Sequence, residues 1–186
     1  MQHVNAILKR VFLALLISFS FGSIFCQTTR NIFIGIQPSI TVEPFYEKGE
    51  LDINVFPLII EFPIGMRTNI KLSPIVNYHT GGQEKGISDL GMYGVMPIYF
   101  NKRESTAAKS YGFYIGPVLG FGRNVLNEHF TTTLAIEPGY MFEAKKKFTI
   151  AIGMQFGASY FAYSTEPSKW YSHWGPKVSF GFWLDE

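Results

Sequence analysis

Ser172–Leu184 reads SHWGPKVSFGFWL. Trp174, Pro176, Val178, Phe180, Phe182 and Leu184 alternate with His173, Gly175, Lys177, Ser179 and Gly181, and only Trp183 breaks the pattern. Successive side chains of a β-strand point to opposite faces, so the stretch has one apolar face and one polar or very small face. Such a run of large apolar groups reads as one strand of a membrane-spanning β-barrel, with its apolar face toward lipid.

The same pattern recurs toward the N-terminus. Pro38, Pro57, Pro74, Pro97, Pro117 and Pro138 lie about 20 residues apart, and Pro176 follows at about twice that interval. Units of that length suit strands of about 10 residues with their connections. Ile32, Ile34, Ile36, Pro38, Ile40 and Val42 oppose Gly35, Gln37, Ser39, Thr41 and Glu43. Ile70, Leu72, Pro74, Val76 and Tyr78 oppose Lys71, Ser73, Asn77 and His79. The stretches around Pro117, around Pro138 and from Phe148 to Ala158 alternate in the same way. The expected fold is therefore all-β, an eight-stranded antiparallel up-and-down transmembrane barrel.

Two stretches fit less cleanly. Between Leu51 and Ile64 the apolar phase switches near Pro57, which a β-bulge at Pro57–Leu58 would repair while turning Glu61 inward. From Ile87 to Phe100 both faces are apolar, and the phase is open. Proline also lacks the donor that a sheet ladder needs, so bulges or ladder gaps at a common height are expected. A soluble sandwich with prolines at its strand ends is the alternative.

Lys9 and Arg10 precede an apolar run, Val11–Phe25, which resembles a secretory signal. The run is shorter than the roughly 20 residues of a helical span. The expected organisation is a signal peptide over 1–26 and an outer-membrane barrel over 27–186. Acylation at Cys26 is the alternative to cleavage after it. The formal charge of +2 comes from Lys9 and Arg10, so the remainder is neutral and has no electrostatic case for nucleic acid.

Eight strands leave an interior filled by side chains. Glu43, Glu61, Lys71, Asn77, Glu137, Gln155 and Lys177 are expected to meet there, with Lys71 and Lys177 pairing the carboxylates, because buried charges must be compensated. Gly112, Gly116, Gly120 and Gly122 read as space-savers on the inward face. Tyr46, Tyr78, Tyr99, Tyr111, Tyr163, Tyr171 and Trp174 lie near strand ends, where rings with a polar handle form interfacial girdles. The basic connections Gly65–Asn69, Asn101–Ser110 and Glu143–Lys147 read as short inner turns.

This pattern resembles the small outer-membrane barrels of Gram-negative bacteria, the OmpA transmembrane domain and OmpX group, over all of 27–186. The resemblance rests on alternating strands, short inner turns and the final Phe180, Phe182, Trp183 and Leu184. It implies outer-membrane lipid as surroundings and recognition of the last strand by the barrel-assembly machinery. Asp185 and Glu186 depart from the usual terminal phenylalanine. The resemblance carries no catalytic motif.

For catalysis, Ser172, His173 and Glu166 are neighbours in sequence, but adjacent strand residues face opposite ways. His79, His129 and His173 read as loop and rim residues. No catalytic residue, metal ligand or cofactor is expected. The expected role is a monomeric, non-enzymatic barrel with a structural or surface-interaction function. The alternatives are a lipid-modifying or small-ligand-binding barrel acting at its rim, or a soluble exported barrel.

Overall fold

The computed structural model describes residues 31–41, 46–81, 85–105, 108–143, 148–163 and 167–184. Residues 1–26, expected as a signal peptide, and Glu43 lie outside them. The described chain is all-β: β1 (Ile32–Ile36), β2 (Ile40–Thr41), β3 (Leu51–Asn54), β4 (Leu58–Pro63), β5 (Asn69–Thr80), β6 (Gly86–Val95), β7 (Ile98–Tyr99), β8 (Gly112–Asn124), β9 (His129–Glu143), β10 (Phe148–Tyr163) and β11 (Lys169–Leu184). In pairs, β1 with β2, β3 with β4 and β6 with β7 form single interrupted strands. The result is a closed eight-stranded antiparallel barrel.

The interruptions fall at prolines, for the reason the missing donor implies. Pro38 separates β1 from β2, Pro57 separates β3 from β4, and Pro97 separates β6 from β7. The β3–β5 and β4–β5 registers differ by one residue across Val55–Ile59, which is the bulge expected at Pro57–Leu58. Glu61 consequently faces inward, opposite Lys71. The ambiguous fourth strand places Tyr93, Val95, Pro97 and Tyr99 inward and Leu90, Met92, Met96 and Ile98 outward. A second register shift, between Val76 and Tyr78, turns Ser88 inward as well.

The first and last strands close the barrel through Ile32–Ile36 against Leu184–Phe180. We call the end that carries Ile32 and Leu184 the terminal end, and the opposite one the distal end. Beyond Gln37 the wall parts. Among the described residues β2 pairs only with β3, and Lys169–Ser179 pair only with β10. A seam therefore opens at mid-barrel between β2 and the facing part of β11.

The terminal end holds the apolar core, made of Phe33, Ile59, Tyr99, Tyr114, Met141, Ala151 and Trp183. Phe33 lies against Trp183 at 5.5 Å between ring centroids, and the facing Gly181 leaves room for the Phe33 ring. In the connection after β7, the described residues 100–105 and 108–111 fold over this end. Arg103, in the connection read from sequence as a short inner turn, is buried. It donates to Asn69 Oδ1 (2.8 Å), to Ser110 Oγ (2.6 Å) and to the carbonyl of Gly65. Burial lowers the pKa of its guanidinium, opposed by Tyr99 and Glu61, and the group stays charged at physiological pH.

Candidate functional site

Above the apolar layer the interior is polar and organised in hydrogen-bonded groups. Glu137 lies at the centre, with no exposed surface. Its Oε1 accepts from Lys71 Nζ (2.5 Å) and Tyr114 (2.9 Å), and its Oε2 accepts from Gln155 Nε2 (2.6 Å). Gln155 Oε1 accepts from His173 Nε2 (3.0 Å); an amide oxygen cannot donate, so the proton sits on that nitrogen. Glu61 accepts from Asn69 (2.5 Å) and Tyr99 (2.8 Å). Lys71 is thus flanked by two carboxylates, one paired with it in space and one across the ladder. This compensates the cost of burying each charge.

Glycine makes room for the network. A Cβ at Gly139 would overlap the Tyr114 ring, and one at Gly120 would overlap Tyr93. The small inward positions let large polar rings lie flat against the wall.

A second cluster closes one side of the distal end. Asp52 accepts from Ser88 Oγ (2.8 Å) and Tyr46 (2.8 Å) and contacts His79 Nδ1 at 2.9 Å. These are the residue types of a hydrolase triad, but the wiring differs: serine and histidine share the carboxylate, and serine does not bond the imidazole. Asn77 donates to Asp89 Oδ2 (3.2 Å), so it belongs here and not to the Glu137 network.

Of the expected interior residues, Glu61, Lys71, Asn77, Glu137 and Gln155 are buried. Lys177 points inward but forms no ion pair with a carboxylate among the described residues; its ammonium lies 5.6 Å from the Tyr93 ring centroid. The girdle expectation is corrected more heavily. Tyr78, Tyr111 and Trp174 are exposed on the outside. Tyr99 is 1% exposed, because the phase of its strand turns it into the core. Tyr171 faces inward against Phe161, and Tyr46 folds onto His79. Tyr163 sits beside His129 at the distal rim. His79 and His129 lie at strand ends by the distal rim and are buried there, the latter stacked on Phe161 at 4.7 Å. Ser172 and His173 face opposite ways, as strand alternation requires.

Filling stops midway. A cavity of about 930 Å³ occupies the distal half, lined among others by Gln37, Asn77, Tyr93, Thr133, His173 and Lys177. Neither the opening nor Arg103 was legible in sequence, since both depend on which strands meet. Among the described residues no group of three or more His, Cys, Asp or Glu is placed to hold a metal ion. No family model, curated protein or solved structure matches the chain.

Proposed function

We propose that this chain is a non-conducting outer-membrane β-barrel that crosses lipid with its strands and offers a polar binding cavity at its distal end, with no catalytic role. One observation carries the reading. On outward strand positions of the described residues, Arg123 at the distal rim is the sole Asp, Glu, Lys or Arg, while residues such as Ile34, Phe113, Ile136, Ile152 and Phe182 surround the barrel. Soluble monomers rarely expose contiguous apolar patches beyond a few hundred Å². A continuous belt of this kind has its counterpart in lipid-facing barrels. The longest strands, 16 residues each, rise roughly 40 Å along the axis when tilted, enough for the hydrocarbon layer.

The filled terminal half supports the absence of conduction, and the open distal half supports a binding role. Membrane fractionation tests the assignment. The protein is expected to stay with vesicles through an alkaline carbonate wash and, once solubilised, to migrate faster on gels before boiling than after. Release by carbonate without detergent would refute the membrane assignment and favour a soluble exported barrel.

A further inference from the structure

The seam and the cavity form one feature. Behind a continuous barrel wall only alternate residues of a strand can line the interior. That holds for β9, which contributes Thr131 and Thr133, and for β10, which contributes Ser159 and Phe161. β3 and β8 depart from it briefly, with Ile53–Asn54 and Gly120–Gly122, and the two strands flanking the seam depart from it over much longer runs. Residues 37–41 and 171–178 line the cavity without a break, inward and outward faces alike. These long runs fall where β2 and the facing part of β11 share no ladder, so the cavity continues between them and reaches the outer surface beside Pro38, Ile40, Trp174 and Pro176.

Proline chemistry explains why the wall parts here. Gln37 N–H donates to Pro57 O (2.7 Å) and Asn54 N–H donates to Ser39 O (3.1 Å), so residues 37 and 39 bond toward β3 and β4. The intervening Pro38 must then turn its backbone toward β11, where it has no hydrogen to give. Were the β1–β11 register continued, Pro38 would face Val178 and Ile40 would face Pro176. Each of those successive hydrogen-bonded pairs loses one donor to a proline. The Ser179 Oγ bond to Gln37 Oε1 (3.1 Å) marks the last contact below the opening.

Charge selects the occupant. The ion pairs of the described residues are Lys71–Glu137 and His79–Asp52, and Lys177 takes part in neither. Asp89, the carboxylate in the cavity lining, accepts from Asn77 Nδ2 (3.2 Å). Of the two charged side chains in the lining, Asp89 stands on β6, and Lys177 stands on β11 at the seam, behind an apolar slot that faces the outer belt.

We propose that the seam is a lateral port and that the cavity behind it binds a long-chain carboxylate. The alkyl chain lies between Pro38–Ile40 and Trp174–Pro176, and the carboxylate reaches Lys177 beside Tyr93. A volume of about 930 Å³ is ample for a ligand of that size. An occupant or water also meets the backbone groups of the seam, which hydrocarbon alone would leave unpaired. The inference rests on the membrane-embedded reading above.

Photolabelling tests it. The full chain is reconstituted in phosphatidylcholine vesicles with palmitic acid carrying a chain-terminal diazirine, illuminated, digested and mapped by mass spectrometry. Adducts are expected on 37–41 and 171–178, competed by excess palmitate. Lys177→Met should weaken binding about tenfold, the size of a lost charge-assisted contact, while Lys177→Arg retains it. Gel heat-modifiability confirms that each variant is folded. Adducts spread evenly over Phe113, Ile136 and Ile152 without competition, or binding indifferent to Lys177→Met, would overturn the port. Equal competition by lysophosphatidylcholine would overturn the carboxylate preference. Carbonate-resistant protein with no saturable labelling defeats the port alone, whereas protein washed off the vesicles defeats the membrane reading itself.

Discussion

Replacing Lys71 by methionine probes the centre of the barrel. The lysine and Glu137 are both buried, their side chains 6% and 0% exposed, and they meet at 2.5 Å. Removing the ammonium leaves a carboxylate with Tyr114 and Gln155 still donating and only the unbonded Lys177 as positive charge in its surroundings. Breaking one side of a buried pair costs about 3–5 kcal/mol, because the orphaned charge keeps its desolvation penalty. Solvent screening offers little relief at this burial. The double variant Lys71→Met/Glu137→Leu removes both charges, and its cost should fall to within about 1–2 kcal/mol of wild type. Urea unfolding of vesicle-reconstituted protein, followed by tryptophan fluorescence and by the gel shift, measures each value and the coupling between them. A Lys71→Met variant destabilised by less than about 1 kcal/mol, or a double variant worse than the sum of the singles, would refute the ion-pair account.

Arg103→Ala should cost about 1–3 kcal/mol by leaving buried acceptors unpaired, and limited proteolysis should then cut within 100–111. Gly139→Val should destabilise by a similar amount, since Tyr114 occupies the space and must leave Glu137; the companion variant Tyr114→Phe/Gly139→Val separates crowding from the lost hydrogen bond. Single-channel recording in planar bilayers should show no steady conductance for the wild type, because the terminal layer and the Glu137 network fill the interior. Stable open-channel steps would contradict that filling.

Alternation along Ser172–Leu184 and its counterparts made the barrel legible, because a two-residue period leaves a strand few arrangements that bury one face and wet the other. The same parity sent Glu61, Lys71, Glu137 and Gln155 inward, and the phase switch near Pro57 announced its bulge. Parity failed where both faces are apolar, which is why Tyr99 was expected in a girdle and lies in the core.

What chain order could not decide is who meets whom across the interior. Arg103 folding over the terminal end, Lys71 choosing Glu137 while Lys177 stays apart, and Asp52 gathering His79 and Ser88 all join residues distant in sequence. Local pattern sets which face a side chain takes; only closure of the sheet sets what stands opposite. The seam belongs to both levels: two prolines remove the donors, and the meeting of first and last strands makes those losses coincide.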